Sequence, residues 1–410
     1  MPPPTAIVLI PGFFGYGSFG ADVDRPVLEY FAGVRDQLER AGVKEPTYFI
    51  VAHEPPPTGS LDDRVASLNE LAGKLLRGDA LPHDARLKSG ERFVAQRIHL
   101  VGHSTGGVDA RLFANTKYTW AGAPASREDR EAMLGTIGSI VTLSAPFFGT
   151  PIANHIQVDE NLLLQAIHVL TMLGIFQDGR LDTFALEIFK SGLRALPEVA
   201  TRGVLGALWS KLAPELTRRA DPGVRQSPPA LLQRAPHVTG EVAHQVGAFF
   251  QSIDDDHQLL GDLRPENLQP LAAAIEGGDS RPIFSYVTVA PAARYLDNLR
   301  DRLIARLVYG ILYDATAHDP LRRDLPSGKR FGDRRRLAEL LAHPVACDGV
   351  VPARSQSLGR DVAGVVLGDH LDVVGSFPGG KGANVMHSNA GFDRARFRDL
   401  WNDIAKTLLA

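Results

Sequence analysis

The sequence predicts an α/β protein: a doubly wound, mostly parallel sheet carrying a large helical lid or cap insertion. Three observations carry this expectation. Short apolar runs alternate with helix-like segments from the N-terminus to about residue 151. A strand, a tight glycine turn and a helix follow one another without a gap around IHLVGHSTGG, residues 98–107. The strand rhythm then stops near residue 153 and resumes at IFSYVTVA, residues 283–290. The expected layout is a core of residues 1–152 and 281–410, with 153–280 as the helical insertion.

TAIVLI (5–10) is a continuous run of mostly branched apolar side chains, as suits a strand buried on both faces of a parallel sheet. It enters the glycine-rich loop Pro11-Gly12-Phe13-Phe14-Gly15-Tyr16-Gly17. Residues 26–42 read as an amphipathic helix and YFIVA (48–52) as a second strand. The turn-rich EPPPTGS precedes a helix from about Leu61 to Leu76. After the elbow, IGSIVTLSAPFFGTP (137–151) repeats the order of strand and loop.

Within the insertion, ENLLLQAIHVLTMLGIF (160–176) is apolar around much of a helix, more than a half-exposed helix needs. A static buried cap and a lid over an apolar acyl pocket both fit this pattern. Beyond residue 283 a basic, polar region (Arg322 to Arg336) reads as solvated surface. It is followed by HPVACDGVVP (343–352) and DVAGVVLGDHLDVVG (361–375).

Composition narrows the classes of function. The 410 residues are 44% hydrophobic and 22% charged, ordinary for a globular protein with a large core. A net charge of −3 supplies no electrostatic reason to expect nucleic acid as a partner. Cys347 is the single cysteine, so an intramolecular disulfide scaffold is excluded. Met1-Pro2-Pro3-Pro4 has neither a basic nor a long apolar stretch of a signal peptide. The expected location is therefore cytoplasmic, or secreted if a leader precedes this chain. No apolar run reaches the length of a membrane span.

The chemistry is concentrated at Gly102-His103-Ser104-Thr105-Gly106. A serine on a sharp strand-to-helix turn projects its hydroxyl, and the crowding of such a turn demands small residues two before and two after it. The Thr105 N–H points to where an oxyanion would form, and Phe13 in the first loop is the best placed second donor. A serine hydroxyl needs a base, normally a histidine held by a carboxylate, in the chain order Ser, acid, His. Asp348 follows an apolar run and precedes a glycine at a plausible strand end, with Asp314 as competitor. His370 falls just after the strand-like VAGVVLG, with His387 as the alternative.

These pieces resemble the bacterial true lipases of the α/β-hydrolase superfamily, above all the thermoalkalophilic group with a large helical lid. The matching segments are IVLIPGFFGYGSFG, RIHLVGHSTGGVDAR, VTLSAPFFGTP, CDGVVP and DHLDVVG, spread through most of the chain. The resemblance implies an α/β-hydrolase fold with Ser104 as nucleophile, Asp348 as acid and His370 as base. It also implies the Phe13 and Thr105 N–H groups as oxyanion hole. Pro11-Gly12 stands where those lipases have His-Gly, so that loop must be supported differently. Asp372 matches a calcium ligand of the family, but the further acid expected downstream is Phe377 here. The region around His83 holds too few ligands for the family's zinc site. No cofactor is expected to be required, with calcium dependence weak at most.

The expected activity is hydrolysis of carboxylic esters with an apolar acyl chain, through an acyl-enzyme, with transient contact at a lipid interface. An acyltransferase or a polyester depolymerase would use the same three residues. A non-catalytic binding protein on the same scaffold is the alternative from another class. The sequence assigns no oligomeric state.

Overall fold

The computed structural model describes residues 3–13, 15, 18–19, 28–79, 93–120, 122–124, 126–157, 256, 258–292, 303–317, 328–358, 362–382 and 386–410. The expected lid helix at 160–176, and with it most of the 153–280 insertion, lies outside the described residues.

Among the described residues, nine strands and the helices around them alternate as the apolar runs suggest. The main strands are β1 (Thr5–Ile10), β4 (Tyr48–Ala52), β5 (Arg97–His103), β6 (Ile137–Leu143), β7 (Ile283–Val289), β8 (Lys329–Phe331) and β9 (Val362–Leu367). They form one seven-stranded sheet in the order β4-β1-β5-β6-β7-β9-β8, with every pair parallel. Two short strands, β2 (Ser18–Phe19) and β3 (Leu28–Glu29), make a separate antiparallel ribbon.

Side-chain alternation along β1 divides the core into two layers. Ala6, Val8 and Ile10 face helices α2 (Leu61–Arg77) and α3 (Thr105–Phe113), packing with Leu68, Leu75 and Leu112. Ile7 and Leu9 face the other way, toward α1 (Val34–Arg40) and the C-terminal helix Arg394–Leu409, whose Trp401 is fully buried. Burial on both faces is what a parallel sheet sandwiched by helices requires. Leu259, Leu263, Leu268 and Ile275, from the last part of the segment read as insertion, pack into the first of these layers.

Several element boundaries differ from expectation. The helix expected over 26–42 begins only at Val34, because Gly33 before it is left-handed (φ 77°) and Leu28–Glu29 pair as strand β3. Helix α2 matches its expected span closely. Ser60 Oγ accepts the Asp63 N–H at its start, and left-handed Gly78 ends it. Asp348 lies in a tight loop rather than at a strand end, where the Cys347 carbonyl accepts the Ala290 N–H just beyond β7.

The chain winds from β1 outward to β4, then returns to place β5 on the other side of β1. Winding reverses at that point, so the carboxyl ends of β1 and β5 flank the crevice where doubly wound sheets hold ligands. This strand order, with a sharp turn at the end of β5, is that of the α/β-hydrolase fold. Among the described residues, no helix is long and apolar enough to cross a membrane.

Candidate active site

Ser104 joins β5 directly to α3 with φ 55° and ψ −129°, a left-handed conformation rare for a residue with a side chain. Neighbouring backbone holds it there: the Ser104 N–H donates to the Leu143 carbonyl at the end of β6 over 2.8 Å. The flanking glycines are required by contact. A Cβ on Gly106 would lie 2.1 Å from the Ile10 carbonyl oxygen, and one on Gly102 would lie 2.2 Å from that of Gly106. Thr105 is the first residue of α3, so its N–H has no partner within the helix and stands at the positive end of the helix dipole.

Asp348 and His370 meet across two loops. His370 Nδ1 is 2.8 Å from Asp348 Oδ2, and both side chains are buried. The other carboxylate oxygen of Asp348 accepts the N–H groups of Val350 (2.9 Å) and Val351 (2.8 Å). Gln356 Nε2 adds a donor to Oδ2 at 3.2 Å. This fully engaged carboxylate accepts Nδ1–H of the imidazole and so leaves Nε2 as the ring's basic nitrogen. The backbone repeats the pairing, with the His370 N–H donating to the Asp348 carbonyl over 3.0 Å. Of the alternatives, Asp314 is exposed on helix Leu303–Thr316. His387 donates its backbone N–H to the Ala305 carbonyl.

The loop after β1 presses against the serine turn. A Cβ on Gly12 would fall 2.5 Å from Ser104 Cβ and 3.0 Å from the Tyr30 hydroxyl oxygen, so only glycine fits. The Gly12 N–H donates to that hydroxyl at 3.0 Å. Arg64, fully buried on α2, donates Nη2–H to the Pro11 carbonyl (2.8 Å) and to Asp109 Oδ2 on α3 (2.7 Å). Its Nη1 reaches the Pro56 carbonyl. These contacts supply the different support that a Pro-Gly loop was expected to need. Phe13, next in the loop, packs with Ile152, Leu260, Leu312, Ala315 and Val350 into a small apolar cluster.

Asp372 does not stand in a donor set suited to calcium, a hard ion that takes six to eight oxygen ligands. Its Oδ2 accepts the Asp369 N–H at 2.8 Å, while Asp369 accepts N–H groups of Leu371 and Ser388. Burial pushes the Asp372 carboxyl well above the usual range, and the Asp369 charge adds to this. Phe377 is buried against Phe392 and Phe397 and offers no oxygen side chain. Among the described residues, no group of three or more histidine, cysteine or acidic side chains could hold a metal ion.

The structure therefore brings Asp348 to His370, sets Gly12 and the Phe13 loop against Ser104, and leaves Asp372 in its own carboxylate pair. Gln356, Arg64 and Tyr30 escape a sequence reading. Arg64 looks like one more polar residue on an amphipathic helix, and nothing in the spacing marks Gln356 or Tyr30. His103 lies inside the serine motif, which is the one signal that could have drawn attention to it.

An α/β-hydrolase fold with a strained serine at the end of β5, and a buried Asp–His pair on neighbouring loops, is the class that fold and site define. No protein-family model matches the sequence, and no curated protein matches it. Among solved structures the chain is similar to lipase 1 from Pelosinus fermentans, at 18% identity, covering 99% of this chain and 98% of that one, with a TM-score of 0.47. It is also similar to Staphylococcus hyicus lipase, at 13% identity over 99% and 95% of the chains, TM-score 0.46. A third is EstA from Clostridium botulinum, at 17% identity over 100% and 88%, TM-score 0.47.

Proposed function

We propose that the chain is a serine hydrolase of carboxylic esters. Ser104 Oγ attacks the ester carbonyl while His370 Nε2 takes its proton, and the Asp348 carboxylate orients and stabilises the imidazolium that forms. The Phe13 and Thr105 N–H groups receive the tetrahedral oxyanion. Collapse expels the alcohol, which takes the proton from His370, and leaves the acyl group on Ser104. Water then attacks the acyl-enzyme, giving its proton to His370, and the acid is released as Ser104 regains its hydrogen.

The observation that carries this reading is the His370–Asp348 pair. Its carboxylate is saturated with donors, and its imidazole has only Nε2 left to act as base. A preference for apolar acyl groups is supported by the cluster joining Phe13 of the oxyanion loop to Val350 beside Asp348. The test is hydrolysis of p-nitrophenyl esters of increasing acyl length by the parent and by Ser104→Ala. Ser104→Ala is expected to lose at least about 10³-fold in kcat with its melting temperature unchanged. Near-parental turnover in that variant would refute the assignment.

A further inference from the structure

The His103 side chain does no chemistry in this mechanism, yet it is completely buried between two parts of the site. Its Nε2 lies 2.8 Å from the backbone carbonyl oxygen of His370, and its Nδ1 lies 2.7 Å from the Tyr30 hydroxyl. The imidazoles of His103 and His370 pack with centroids 4.7 Å apart. The geometry points to His103 and Tyr30 as positioning residues: one directed chain of hydrogen bonds ties the oxyanion loop and the base's backbone to the serine turn.

The direction of that chain follows from its ends. A backbone carbonyl only accepts, so His103 Nε2 carries the proton and donates to the His370 oxygen. In the neutral ring Nδ1 then accepts, and the Tyr30 hydroxyl is its donor. The Tyr30 oxygen is left to accept the Gly12 N–H at 3.0 Å. Each donor meets one acceptor, and a neutral imidazole satisfies the set. Burial pushes His103 well below the ordinary histidine range, and the neighbouring His370 acts in the same direction. Neutrality matters for catalysis, because a second positive charge beside His370 would oppose the imidazolium that forms there.

The arrangement pins the His370 backbone through the peptide groups on both sides of the residue. Its N–H is held by the Asp348 carbonyl and its C=O by His103, while Asp348 fixes the ring. Because His103 immediately precedes Ser104, the base is referenced to the nucleophile's own backbone. Through Tyr30 the same side chain sets Gly12, the residue before the Phe13 donor. A displacement of about 1 Å among such groups costs on the order of 10²-fold in rate.

This inference rests on the hydrolase reading, and the experiment separates the two. Turnover of a soluble short-chain p-nitrophenyl ester and melting temperature are measured for the parent, Ser104→Ala, Tyr30→Phe, His103→Phe, His103→Asn and His103→Gln. His103→Phe is expected to lower kcat about 10²-fold with KM within about threefold. The amide of glutamine reaches the Nε2 position, so His103→Gln should recover at least about tenfold of that loss. Asparagine offers its amide only near Nδ1 and should not. Tyr30→Phe removes a single oxygen and should lower kcat about tenfold without changing the loss caused by His103→Phe when the two are combined. Should His103→Phe fail to fold, the glutamine and asparagine variants decide by their relative kcat. Parental kcat in His103→Phe, or equal kcat in the glutamine and asparagine variants, overturns the positioning role while leaving the hydrolase reading intact if Ser104→Ala is inactive. Activity in Ser104→Ala overturns both.

Discussion

Gly12 and Ser104 approach so closely that the loop after β1 and the serine turn behave as one surface. A methyl group at position 12 would meet Ser104 Cβ at 2.5 Å, a distance that requires backbone movement. Gly12→Ala is therefore expected to lower kcat/KM about 10²-fold, because both Ser104 and the loop after β1 shift. Slower labelling of Ser104 by a fluorophosphonate, in a variant that still unfolds cooperatively, would report this. Gln356 is the second decisive residue at this scale. Its Oε1 accepts the Thr288 N–H at 2.7 Å, and its Nε2 donates to the Thr288 and Val351 carbonyls and to Asp348. Gln356→Leu strands these buried groups and should cost more than about 2 kcal/mol, read as a lowered urea midpoint with reduced kcat.

At the scale of elements, Arg64 and Asp109 lock α2 to α3. The pair is buried with almost no exposure, and Arg64 also holds the carbonyls of Pro11 and Pro56. Burial pushes the Asp109 carboxyl up while the Arg64 charge opposes that shift. Asp109→Ala leaves an uncompensated buried guanidinium, and a loss of about 3–5 kcal/mol is expected in urea unfolding. Replacing both partners by apolar side chains, Arg64→Met with Asp109→Leu, should restore much of that stability. It should not restore turnover, because the Pro11 carbonyl loses its donor and the loop after β1 its anchor. Recovery of both together would mean that the pair serves stability alone.

For the whole molecule, buried neutral histidines set the acid limit. His99, which meets Ser139 Oγ at 2.6 Å, is lowered by burial from the ordinary 6.5 to about 4, and His53 to about 3. Below pH 6.5 the unfolded chain takes up protons that these side chains refuse when folded. Stability present above that pH is thus lost as pH falls toward 4. Each such group withdraws about 2 kcal/mol by pH 5. Asp369 acts in the opposite sense, since burial pushes it from 3.8 to about 6 and favours the folded state at lower pH. The informative quantity is therefore the difference between variant and parent. His99→Gln should lose about 2 kcal/mol less than the parent between pH 7.5 and pH 5, measured by urea unfolding at both values.

What the sequence by itself determined is local. Branched apolar runs make TAIVLI and IFSYVTV strands. Glycines placed two residues either side of Ser104 permit a turn that larger residues would block, and alternation of strand and helix forces a parallel sheet. Each depends on neighbours a few positions apart, so spacing alone reveals it. The helix expected from residue 26 shows the limit, because β3 pairs with a partner that the pattern of residues 26–42 does not name. Only tertiary structure decided that Asp348 rather than Asp314 meets His370, and that a loop residue such as Gln356 saturates that carboxylate. Only it decided that Arg64, Tyr30 and His103 converge on the loops around Ser104. A buried polar group must find a partner somewhere, but which one it finds depends on how layers far apart in the chain come together.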